Sequence, residues 1–98
     1  MNNITQIQSI FSGFNFEQVN VPVRYKLRKE RFLSDNACGA PAVSLTKDTK
    51  AVVVMIGTKS QNVVSCEGVY SDIKRIFVQI DGYLYPMSES NFNKVFKR

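Results

Sequence analysis

Histidine and tryptophan are absent from this chain of 98 residues, and cysteine occurs only twice. Without histidine, Ser-His-Asp and Cys-His catalysis drop out, as does any zinc site built with imidazole. Cys38 and Cys66 cannot complete a four-thiolate metal site by themselves, and they read as free thiols rather than a disulfide. Long apolar runs are missing too. The longest, residues 51–56, has six residues and cannot span a bilayer, so no membrane partner is expected. Met1, Asn2 and Asn3 offer no basic n-region and no apolar stretch follows, which predicts a cytoplasmic protein without a secretory signal.

Catalytic signatures are equally scarce. Neither G-x-x-x-x-G-K-[ST] nor G-x-G-x-x-G occurs, so no phosphate-cradling loop is expected. No spacing pairs two of the eight carboxylates for acid–base work. Asp35, Asp48 and Asp81 fall in expected turns and Glu89 at an expected helix start, where such residues serve structure. Cys38, within Asn36-Ala37-Cys38-Gly39-Ala40-Pro41, is the one candidate nucleophile, and it would need a nearby cation or helix N-terminus to lower its pKa. Cys66 reads as a small core residue. The expectation is a non-enzymatic protein with no cofactor and no metal site.

What the chain does have is enough apolar matter for one core. Apolar residues make up 44% of it and charged residues 21%, proportions that predict one folded domain over residues 1–98. Its charge is uneven. Residues 24–31 hold five cations and one acid, and the remaining residues contribute only +1 of the net +5. Charge concentrated this way attracts phosphates or an acidic protein face. It also serves to guard a sheet edge against aggregation. Lys94, Lys97 and Arg98 form a smaller excess, explained equally well by the dipole of a terminal helix.

Local patterns give the elements. Ile4, Ile7, Ile10 and Phe11 recur at helical spacing with Gly13 as a stop, predicting a short helix that docks on a sheet. From residue 17 to 29 the chain alternates. Val19, Val21, Val23, Tyr25 and Leu27 share one parity, and Arg24, Lys26 and Arg28 the other, which predicts one long strand with a basic exposed face. Pro22 assigns that strand an edge position or a bulge. Residues 33–42 read as a loop. Strands are expected at 42–45, 51–56, 63–67, 74–80 and 83–87, with a turn at 57–62 and a bend at Gly68. Val52, Val53 and Val54 do not alternate, so the strand holding them should be central and covered on both faces. Asp81-Gly82 between two apolar runs predicts a type I′ hairpin. Ser88 should cap a last helix whose Phe92, Val95 and Phe96 share a face. The fold class expected is α+β: a curved antiparallel sheet or small open barrel of about five or six strands, with short N- and C-terminal helices.

Together these features predict a small basic protein contacting nucleic-acid backbone, single-stranded rather than duplex. Arg24, Lys26, Arg28, Lys29 and Arg31 are the candidate phosphate contacts. Tyr25, Phe32, Tyr70, Tyr83 and Tyr85 are candidate stacking groups, with Tyr83 and Tyr85 preferred because Tyr25 has the wrong parity for its neighbouring cations. No helix-turn-helix spacing is present. The competing expectation is an inhibitor or adaptor, of a phage or mobile-element accessory type, that docks its basic edge strand on an acidic protein surface. An exposed edge strand is also compatible with a homodimer. Residues 76–98, read as strand, Asp-Gly, strand, Pro-Met-Ser and short helix, resemble the end of LytTR-type DNA-binding domains. That likeness spans less than a quarter of the chain. The helix and strand pattern upstream departs from that family.

Overall fold

The computed structural model describes residues 4–35, 39–62 and 70–97. The elements run α1 (Ile4–Ile10), β1 (Asn15–Tyr25), β2 (Arg31–Asp35), β3 (Ala40–Leu45), β4 (Lys50–Asn62), β5 (Tyr70–Ile80), β6 (Tyr83–Ser88), α2 (Glu89–Val95) and β7 (Phe96–Lys97). Five strands form an antiparallel sheet in the order β6-β5-β4-β1-β7, curled into a half-barrel. β2 and β3 pair separately. This is the α+β class expected, with a short helix near each end.

The valine-rich strand, β4, is central, and its failure to alternate has a cause. Val53 pairs with Val78 and Met55 with Phe77, so Val54 is an extra residue opposite β5. Such a bulge shifts the side-chain parity of everything beyond it. Ala51 and Val53 therefore join one apolar cluster, while Met55 joins a second on the other face. The first cluster also holds Val23, Tyr25, Val78, Tyr85, Val95 and Phe96, and it is covered by α2 and the β2–β3 hairpin. The second gathers Ile7, Met55, Phe77 and Leu84, with Phe11 and Phe16 packed against it. α1 thus docks through Ile7, which is fully buried, and Gly13 ends the turn after it at φ 89°.

Phe77 is the pivot of that second cluster. Its ring meets Phe11 edge-on at 5.3 Å and lies 6.0 Å from Phe16. Gly57 leaves room for both rings, since a Cβ there would stand 3.2 Å from Phe16 and 3.2 Å from Phe77. Gly57→Val is accordingly expected to lower stability by about 1–3 kcal/mol through overpacking, read from the urea midpoint.

The hairpin expectation holds in detail. Asp81 has φ 52° and Gly82 φ 82°, both positive as a type I′ turn requires, and Ile80 pairs with Tyr83 across it. Ser88 caps α2 as read from the sequence, its Oγ accepting the Asn91 N–H at 3.2 Å.

Three boundaries differ. The expected loop at 33–42 is largely strand, because β2 and β3 pair from Arg31↔Leu45 to Asp35↔Ala40 and bury Leu45 and Ala40 against the main sheet. The expected turn at 57–62 belongs to β4, which continues along β5 as far as Asn62↔Tyr70. The strand expected to reach residue 29 stops at Tyr25, where pairing with β7 ends. The expected strand 63–67, Gly68, Cys38, Cys66 and Arg98 lie outside the described residues. Pro22 sits on β1 just past an irregularity between Gln18 and Val21. β7 pairs with β1 at Arg24 and Tyr25, so among the described residues the rest of β1 is a sheet edge, interrupted by that bulge and proline. Both features work against pairing with another strand, a second copy included.

Candidate nucleic-acid interface

Ending β1 at Tyr25 changes how the basic segment is displayed. Arg24, still on the strand, pairs in register with Lys50 of β4 on one side and with Lys97 of β7 on the other. Directly opposed residues share a face, so three cations form a rung across three strands, spanning about 10 Å. All three side chains are exposed. Like charges placed opposite one another destabilise a sheet. Among the described residues none of the three has an ion partner; the ion pair the sheet does carry is Lys74–Glu89 at 2.7 Å.

Lys26, Arg28 and Lys29 leave the strand and form one wall of a cleft of about 640 Å³. The correction to the single basic strand face is therefore geometric: alternation stops where the ladder stops. The loop is nonetheless held firmly. The Lys26 N–H donates to the Val95 carbonyl at 3.0 Å, and its ammonium donates to the Asn93 carbonyl in the last turn of α2. The buried Tyr25 hydroxyl donates to the Lys29 carbonyl at 2.5 Å, and Glu30 accepts from Ser44 Oγ at 2.7 Å. Lys26 thus serves partly as a helix C-cap, a structural use of its charge.

The opposite wall comes from the turn between β3 and β4. Thr49 N–H donates to the Thr46 carbonyl at 3.0 Å, and Thr46 N–H donates to Thr49 Oγ1 at 2.8 Å, closing a rigid turn that carries Lys47. Lys97 completes the cleft, which then holds Lys26, Arg28, Lys29, Lys47 and Lys97 against one acid, Glu30. A neighbouring open hollow of about 1010 Å³ shares Lys47 and adds Arg24 and Lys50 against Asp48. Arg31 opens β2 and is exposed, but it lines neither the cleft nor the hollow. Sequence reasoning did not count Lys47, Lys50 and Lys97 as part of the patch. Nothing local marks them; only the pairing of β4 and β7 with β1 brings them to Arg24.

No family model, curated protein or solved structure matches the chain. The likeness of residues 76–98 to LytTR-type ends rests on a hairpin and a capped helix alone.

The aromatic assignments need revision. Tyr85 is 1% exposed and its hydroxyl donates to the Pro41 carbonyl at 2.6 Å, so it is a core residue tying β3 to β6 and offers no free ring face. Tyr83, two residues earlier on the same face, is half-buried against the same cluster. Tyr25 is buried, and the side chain of Tyr70 lies outside the described residues. Phe32 is different. It stands on β2 two residues beyond Glu30, 68% exposed, the most open of the large apolar residues described. The reason is parity: Leu33 turns into the first cluster, which sends Phe32 outward.

Burial raises the Tyr85 phenol above its ordinary pKa, with smaller contributions from Asp81 and Tyr83. A group whose folded pKa is raised keeps its full contribution below the unfolded value. Stability should therefore be level up to about pH 10 and fall as pH rises through the folded pKa. Tyr85→Phe is expected to remove that alkaline slope while costing about 1 kcal/mol at neutral pH for the lost bond to Pro41. Urea midpoints at pH 7 and above pH 10 check both signs.

Among the described residues no group of His, Cys, Asp and Glu could hold a metal ion, and no helix is long and apolar enough to cross a membrane. The site's resources are cations, an exposed ring and a shaped cleft.

Proposed function

We propose that this protein is a non-enzymatic binder of single-stranded nucleic acid, holding the phosphate backbone at the basic end of the half-barrel. The observation that carries the reading is the rung Lys50–Arg24–Lys97, without an ion partner among the described residues and continuous through Lys97 with a cleft of four further cations. A fold that sets like charges opposite one another is relieved by an anion that bridges them, and a polyphosphate chain does so repeatedly. A single strand suits the site better than a duplex. α1 carries no cation and α2 one, Lys94, near its end, so neither helix is equipped to read a major groove. Phe32 supplies an exposed ring of the kind on which unpaired bases stack.

Fluorescence anisotropy of labelled single-stranded DNA, duplex DNA and RNA at two salt concentrations tests the reading. Micromolar or tighter single-strand binding with a steep salt slope supports it. No binding to any of them at low salt overturns it in favour of an acidic protein partner for the same cations. Phe32→Ala sharpens the test. The change is expected to leave stability within about 0.5 kcal/mol, since the ring is exposed. It should weaken single-strand binding roughly five- to tenfold through lost stacking, while sparing duplex binding.

A further inference from the structure

A smaller cavity, of about 210 Å³, lies between α2 and the first face of the sheet, next to the basic cleft. Its walls are apolar: Val21, Val53, Ile56 and Ile76 from the sheet, and Phe92 and Phe96, whose rings stack at 5.6 Å and 30°. Its rim is polar. Lys74, Glu89, Asn93 and Lys97 ring the mouth, offering both hydrogen-bond donors and acceptors. Lys97 also lines the basic cleft, and Asn93 receives the Lys26 ammonium that forms the cleft's wall. The two sites therefore share a boundary made of Lys97 and the Lys26–Asn93 bond.

We infer that this cavity receives one unpaired pyrimidine base of a strand whose phosphates lie in the basic cleft. The inference rests on the phosphate-binding reading above and adds the base-holding part of the same interface. A nucleobase presents apolar faces and a polar edge with donors and acceptors together, which is the division this cavity makes between its walls and its rim. Shape favours a single ring. A dry cavity of roughly 150 Å³ takes up benzene, so the volume here admits a six-membered ring with its substituents, and the longer fused ring system of a purine is the poorer fit. A simple aromatic carboxylate could pair with Lys97 but fits less well, because it brings no donor for the Glu89 and Asn93 acceptors on the rim.

The test compares three labelled oligomers of equal length with the full chain: oligo-dT, oligo-dA and an abasic sugar–phosphate chain. Oligo-dT is expected to bind at least about tenfold tighter than the abasic chain, part of it through stacking on Phe32, with oligo-dA between them. Phe92→Leu, which keeps an apolar side chain under α2, should bring oligo-dT down towards the oligo-dA level and leave the Phe32 share in place. Circular dichroism confirms that the variant is folded, and the wild-type comparison decides the matter even if it is not. Equal binding of oligo-dT and abasic chain by the wild type overturns the base pocket while leaving phosphate binding intact. Failure of both chains to bind at low salt overturns the phosphate reading, and the pocket assignment with it.

Discussion

Changing Arg24, Lys50 and Lys97 together to Gln is expected to cripple single-strand binding and to make the protein more stable. The two effects have one origin. In register across β4, β1 and β7, the three cations repel each other in the free protein, and each directly opposed pair costs a few tenths to about 1 kcal/mol, less where water screens it. Removing the charges removes that cost, so the melting temperature should rise by a few degrees. A bound strand uses the same charges to displace counterions, with a salt slope of about 0.7 per phosphate contact on single strands. Losing three contacts should therefore flatten the slope by about two units and weaken low-salt binding at least about tenfold. Anisotropy against salt and a thermal melt read both. A triple variant that melts lower, or binds with an unchanged slope, would show that the rung is a structural feature and not the contact surface.

The second large effect concerns the fold. Phe77→Ala is expected to cost about 3–5 kcal/mol, a large share of the roughly 5–15 kcal/mol that holds a domain together. Phe77 is fully buried and touches the rings of both Phe11 and Phe16, so its loss leaves α1 without its seat as well as opening a cavity. The urea midpoint should drop sharply with little change in slope. The basic end should be spared in whatever fraction remains folded, because Arg24, Lys50 and Lys97 lie outside the cluster that Phe77 anchors. Binding per folded molecule is thus the discriminating readout, and it should equal that of the wild type.

Which parts of this molecule were legible in one dimension follows from the range of the forces involved. Asp81-Gly82 and Ser88 act over two or three residues, through backbone dihedrals and a cap bond, and both were readable. The valine run of β4 announced a strand covered on two faces, because burial on both sides leaves no polar alternation to write. The bulge at Val54 was not readable, since it is defined by how β4 meets β5. β2 escaped notice for a related reason. Arg31–Asp35 is short and carries one apolar residue on each face, Phe32 and Leu33, so it shows no alternation, and it becomes a strand by pairing with β3 over the main sheet.

The candidate site divides along the same line. Composition and spacing by themselves determined that the chain lacks imidazole chemistry, that it forms one α+β domain, and that its positive charge is concentrated in residues 24–31. Only the tertiary structure decided which cations act together. Alternation foretold one face for Arg24, Lys26 and Arg28; the ladder ended at Tyr25 and parted Arg24 from the other two, and strand register set Lys50 and Lys97 beside it. It likewise buried Tyr85 and exposed Phe32, although both are aromatics on strands of similar pattern. Side-chain parity along a strand is local, but which parity faces the core depends on what packs above it, and that is a property of the whole fold.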